Sequence, residues 1–265
     1  MPLRNVAVPA LALVASVLLA SPASAGHARG GDLLPDLMPR PPVALSVERA
    51  ADGRRFLRFG SSVRNGHTGP LELRPRAEDC NGNGDLHDDR TAYQRIYRDQ
   101  DGNGAFSRAR ERFAWSRRAG CMVFHRAHGH WHVESFTQYS LLGYNVDGSL
   151  GDTVATSGKV SFCIVDSNRT TPVLRGSPRA RYYGGSRSCT PRGTWGISVG
   201  WADYYGPRVP GQALDVTPLR AGFYCLVVVA DPENRLAEVS EANNVRRIGI
   251  WLERRRVEWY PYGPC

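Results

Sequence analysis

Short runs in which apolar and polar residues alternate recur along the chain, among them Ala44-Leu45-Ser46-Val47, Phe56-Leu57-Arg58-Phe59 and the stretch from Phe223 to Val229. A period of two places alternate side chains on one face of a pleated strand, so each run predicts a strand with one face turned to a core. Gly, Pro, Asn and Asp separate the runs, and no stretch holds the 3.6-residue period of an amphipathic helix. The pattern predicts a mostly β fold, a single β-sandwich-like domain with long loops over residues 26–265.

The first 25 residues break this pattern. An apolar run from Val6 to Leu19 follows Arg4 and ends in Ala23-Ser24-Ala25, the layout of a secretory signal cleaved near Ala25-Gly26. The run is shorter than the ~18–20 residues that cross a bilayer, so a secreted protein without stable membrane insertion is expected. Six cysteines, Cys80, Cys121, Cys163, Cys189, Cys225 and Cys265, fit that compartment as a set of disulfide staples. None lies in a C-x-x-C pair, which argues against sulfur-bound zinc, and the pairing is open at this stage.

The net charge of +9 comes almost wholly from arginine: of 34 basic residues, only Lys159 is lysine. The arginines are scattered through loops such as 175–187 and form no nucleic-acid reader motif, so no nucleic-acid partner is expected. Codon bias accounts for the scarcity of lysine. It does not account for the one that remains, in Gly158-Lys159-Val160-Ser161-Phe162-Cys163, a strand-like, half-buried run where an amine can lose its charge and act as a nucleophile.

Two inserts, 79–85 with Asp79, Asn81, Asn83 and Asp85, and 99–104 with Asp99, Asp101 and Asn103, carry the D-x-[DN]-x-[DN]-G start of a calcium loop. Arg90 and Arg110 stand where the closing Glu is expected, so weak calcium sites and ordinary Asx turns are balanced readings. More telling are His125, His128, His130 and His132, four of the seven histidines within eight residues. A nitrogen-rich donor set favours Cu(II), with zinc the competitor. On a flat strand the outer pair of an H-x-H-x-H run lies ~13 Å apart. The chain must therefore bend, and Gly129 is the expected place, bringing His128, His130 and His132 together and leaving His125 behind them or uninvolved.

The run His128-Gly129-His130-Trp131-His132 followed by Phe136, Tyr139 and Leu141-Leu142 resembles the copper segment of lysyl oxidases, in particular bacterial lysyl-oxidase-like proteins. Gly158 to Cys163 is similar to their cofactor-lysine strand, and Gly196-Ile197-Ser198 to Tyr205-Gly206, then Leu214-Asp215-Val216-Thr217, to their cofactor-tyrosine region. The likeness runs in order from Pro35-Asp36-Leu37 to Val245. It implies Cu(2+) on His128, His130 and His132, and a lysyl tyrosylquinone joining Lys159 to Tyr205, with Tyr204 the alternative. It also implies Ca(2+) on Asp36, the Leu37 carbonyl, Glu238, Asn243 and Asn244. The implied activity is oxidation of a primary amine or peptidyl lysine by dioxygen, giving an aldehyde, ammonia and hydrogen peroxide. Asp203 is the nearest carboxylate in sequence to Tyr205 and the candidate base. The gap from His132 to Phe136 is one residue shorter than in the animal enzymes, the cysteines fall elsewhere, and the two Asp/Asn/Gly loops are additions. The rival reading is a non-catalytic secreted metal-binding β module, in adhesion or copper handling.

Overall fold

The computed structural model describes residues 30–126, 128–184, 189–260 and 265; the expected leader, 1–25, lies outside them. Sixteen strands account for all the regular structure among the described residues. In chain order they are β1 (Asp32–Leu33), β2 (Leu37–Pro39), β3 (Val43–Arg49), β4 (Arg55–Asn65), β5 (Leu71–Arg76), β6 (Asp89–Arg98), β7 (Arg112–His125) and β8 (His130–Tyr144). There follow β9 (Leu150–Phe162), β10 (Asn168–Arg169), β11 (Trp195–Ile197), β12 (Trp201–Tyr205), β13 (Ala213–Asp215), β14 (Gly222–Ala230), β15 (Val245–Leu252) and β16 (Val257–Tyr260). The alternating runs expected from the sequence fall within β3, β4 and β14.

The strands form two antiparallel sheets. One holds ten strands along the path β11-β5-β6-β7-β8-β14-β15-β16, with β1 added on β6 and β9 on β8; the other holds six, with β12, β13, β2 and β3 all paired to β4 and β10 to β12. The core lies between them: Leu57, Phe59 and Val63 of β4 meet Tyr139 and Leu141 of β8, Leu226 and Val228 of β14, and Ile248 and Ile250 of β15, all buried in one cluster. Phe59 and Tyr139 join the sheets edge to face with ring centroids 5.0 Å apart. Burial of this kind contributes roughly 25 cal/mol per Å² of apolar surface, so the period-two pattern is the main source of the architecture.

The cysteines pair as Cys80–Cys121, Cys163–Cys189 and Cys225–Cys265. The fold is thus mostly β and disulfide-stapled. No helix among the described residues is long and apolar enough to cross a membrane.

Candidate functional site

The β7–β8 hairpin builds the histidine cluster. His125 ends β7 and pairs across from His130, which opens β8. In the turn between them the N–H groups of His128 and Gly129 both donate to the His125 carbonyl, at 3.0 and 2.9 Å. Gly129 takes φ +68°, a left-handed conformation that glycine adopts without a side-chain clash. The bend expected at Gly129 is present, and it turns three alternate histidines toward one another. His132 Nε2 stands 3.0 Å from His130 Nε2 and 3.3 Å from His128 Nδ1.

His125 belongs to the cluster as well. Its ring stacks on His128 and His132 at 4.1 and 4.8 Å, and nitrogens of His125, His128 and His132 lie within 4.8 Å of one another. Its buried Nδ1 has no hydrogen-bond partner. Burial, then the neighbouring imidazoles, pushes His132 down to about 3 and lowers His128. His128 and His132 are thereby held neutral with a lone pair available, the state in which imidazole ligates a metal.

Lys159 lies on β9, opposite Gln138 of β8. Its amine is not buried: the side chain is 46% exposed and Nζ donates to Glu233 at 2.5 Å, while Arg235 pairs with the other oxygen of Glu233. Alternation along β9 divides its end between two faces. Lys159 and Ser161 point one way, and Ser161 Oγ lies 3.4 Å from His132 Nδ1. Val160 and Phe162 point to the core, where Phe162 stacks on the Tyr205 ring at 3.7 Å.

On β12, Tyr205 faces inward and Tyr204 faces out, 37% exposed. The Tyr205 hydroxyl donates to the Cys163 carbonyl at 2.5 Å and lies at hydrogen-bond distance, 2.8 Å, from Asp203 Oδ2. Asp203 is fully enclosed and also accepts from Ser167 Oγ. Burial pushes its carboxyl up to about 8, and burial with the Asp203 charge raises the Tyr205 phenol well above its usual range.

The calcium residues implied by the resemblance also meet. Asn243 Nδ2 donates to both oxygens of Asp36 at 3.0 Å, and Asn244 Nδ2 donates to Glu238 Oε1 at 3.1 Å. Leu37 takes part through its N–H, which donates to Glu238 Oε2 at 2.6 Å. The sequence reading missed Asp231 and Glu241, whose oxygens lie within 4.8 Å of Glu238. Glu241 stands inside the Glu238–Asn244 segment and was legible there; Asp231 comes from the end of β14 and carried no local signature. Burial pushes Glu238 up to about 9, and the Asn243 and Asn244 Oδ1 atoms are buried with no partner. Unpaired buried acceptors beside crowded carboxylates fit a hard cation.

The two loop inserts differ from each other. In the first, Asp79 accepts from the N–H groups of Gly82 and Gly84 at 2.6 and 2.7 Å, an Asx-type turn. In the second, Asp99 and Asp101 are joined by a third acid, Glu111, with oxygens within 4.8 Å. Arg110 occupies the twelfth position, as read, but the acid stands one residue later.

With this geometry in view, comparison with known proteins is specific. The family model for lysyl oxidase matches residues 84–260. The chain is 35% identical over 136 residues to mouse lysyl oxidase homolog 4, covering 51% of this chain and 16% of that protein. It is 29% identical over 176 residues to homolog 2 of Xenopus tropicalis, covering 64% and 20%, and 28% identical over 218 residues to homolog 2 of Gallus gallus, covering 82% and 21%. The matches thus span about a fifth or less of these relatives. The chain belongs to the lysyl oxidase family.

Proposed function

We propose that the chain is a secreted copper-dependent amine oxidase, with one catalytic domain over 26–265, that converts a primary amine, free or on a peptidyl lysine, to an aldehyde at the expense of dioxygen. Ammonia and hydrogen peroxide are the other products. The observation that carries this reading is the convergence of His128, His130 and His132 at one hairpin turn, in a chain of this family. The donor set fits copper: three imidazoles, His132 among them buried, with no thiolate beside them. Bound copper would supply the one-electron chemistry with dioxygen that turns a phenol ring into a quinone.

The chain's own residues supply the surroundings. His128, His130 and His132 would hold the ion, and His125 would pack against them. Tyr205 would be the phenol that is oxidised; its ring stacks on Phe162 and its hydroxyl is fixed by Asp203 and the Cys163 carbonyl. Asp203 is the group able to hold or take a proton beside it. Asp36, Asp231, Glu238, Glu241, Asn243 and Asn244 would hold a calcium ion that ties the chain before β2 to the segment after β14.

A cross-link between Lys159 and Tyr205 requires the amine to leave Glu233, which engages it in this structure. That engagement is what favours the second reading, a metal-binding β module without turnover. Mass spectrometry of metal-free and copper-loaded protein in air distinguishes the two. The oxidase yields a Lys159–Tyr205 cross-linked peptide that reacts with phenylhydrazine, only after copper loading. Unmodified Lys159 and Tyr205 peptides from fully copper-loaded protein would leave the module.

A further inference from the structure

We propose that the β6–β7 connection is a second calcium site, separate from the Asp36–Glu238 group, formed by Asp99, Asp101 and Asn103 and closed by Glu111. The loop leaves β6 after Arg98 and returns to β7 at Arg112. Gly102 and Gly104 take φ +66° and +69°, which lets the chain coil back on itself. Carboxylate oxygens of Asp99, Asp101 and Glu111 lie within 4.8 Å of one another.

Three acids on a turn do not by themselves make a site, and Glu111 is what separates this loop from a solvated one. It is 6% exposed, and Oε1 is buried with no hydrogen-bond partner. Its other oxygen accepts from the Gln100 N–H at 2.7 Å, which fixes the carboxylate against the loop. Among the described residues, the cation paired with the group is Arg110, which reaches Asp101 Oδ2 at 3.4 Å from an exposed position. A carboxylate oxygen buried without a donor pays its desolvation with nothing in return, and a hard cation removes that cost. Calcium takes about 6–8 oxygens from carboxylates, side-chain amides, carbonyls and water, which suits this donor set better than a metal that prefers nitrogen.

The first insert is the internal comparison. It too has a buried acid, Asp89, with Oδ1 unpaired. Among the described residues, no three acids there bring oxygens within 4.8 Å of one another. Asp89 accepts from the Cys80 and Asn81 N–H groups, so it serves the loop backbone.

Calcium here would set the loop that carries Phe106 and Arg108. Arg108 donates to the buried Glu72 and to the Tyr183 hydroxyl, both at 2.8 Å, so it links β5 to the segment 172–184. The test uses the mature protein, stripped with chelator and reloaded with calcium alone. Calcium content per chain and hydrogen exchange of the 99–111 peptides are measured for the wild type, Glu111→Gln and Asp101→Asn. Wild type should hold one more calcium than either variant, and calcium should slow exchange at 99–111 in wild type only. Exchange at 231–244, which reports the other calcium group, should respond alike in all three. Asp101 is exposed, so its variant remains decisive if Glu111→Gln does not fold. Unchanged calcium content in Asp101→Asn with calcium-independent exchange at 99–111 overturns the proposal. If Asp79→Asn, measured in the same way, loses a calcium that Asp101→Asn keeps, the ion belongs to the first insert and the proposal is equally overturned.

Discussion

A carboxylic acid enclosed beside a phenol behaves differently from one in water, and the Asp203–Tyr205 pair shows how. Burial pushes Asp203 up to about 8 from the ordinary carboxylate value of 3.8. Between those two values the folded protein keeps a proton that the unfolded chain has released, so stability falls as pH rises through that window. Asp203→Asn should flatten this dependence, which urea titrations at pH 5 and pH 8 would read. As a base, Asp203 is competent only when ionised. Turnover should then climb about tenfold per pH unit below 8 and level off above it, and Asp203→Asn should lose that limb. A profile that is flat from pH 6 to 9 in the wild type would remove Asp203 from proton transfer. The histidines also divide by role. Loss of His128, His130 or His132 should abolish copper retention through dialysis, whereas His125→Ala should weaken copper affinity by about 10–100-fold, the usual cost of losing a residue that supports a ligand. Equal losses at all four positions would instead make His125 a ligand.

At the scale of strands, the end of β9 decides what Lys159 can reach. The Lys159–Glu233 pair is partly exposed, at 46% and 21%, so it contributes at most about 1 kcal/mol to stability. Glu233→Gln should leave the melting temperature within a few degrees of wild type and raise the rate at which Lys159 is acylated by an amine-reactive ester. It should also speed copper-dependent cross-linking, if release of the amine limits it; slower cross-linking would mean that Glu233 delivers the lysine instead of holding it back. None of this could be read from Gly158 to Cys163 alone. Alternation predicted the strand, but placing Lys159 in the half-buried run gave no hint of Glu233, which is 74 residues away in sequence. The β7–β8 turn was the opposite case, because the H-x-H-x-H spacing and Gly129 together require a bend. Glu111 lay one position outside the calcium-loop pattern and became visible only when β6 and β7 paired.

Across the whole molecule the three disulfides hold unlike things. Cys80–Cys121 ties the first insert to β7, and Cys225–Cys265 ties β14 to the C-terminus. Cys163–Cys189 lies between the two halves of the candidate site: the Cys163 carbonyl accepts from the Tyr205 hydroxyl, and the Cys189 carbonyl accepts from the Trp131 N–H, between His130 and His132. The sequence separations are 41, 26 and 40. In the chain-entropy account each closed loop contributes roughly 3–4 kcal/mol, and the differences among the three are small. Replacing any one pair by serines should therefore lower the urea midpoint by similar amounts. Function should not follow stability. At a temperature where every variant is folded, Cys163→Ser/Cys189→Ser should lose cross-link formation and amine turnover, because the carbonyls that position Tyr205 and the histidine hairpin are released together. The other two pairs should keep turnover near the wild-type rate once they are folded and copper-loaded. If all three double variants lose activity only in proportion to the fraction unfolded, Cys163–Cys189 is a staple like the others, and the placement of Tyr205 rests on Phe162 and Asp203 instead.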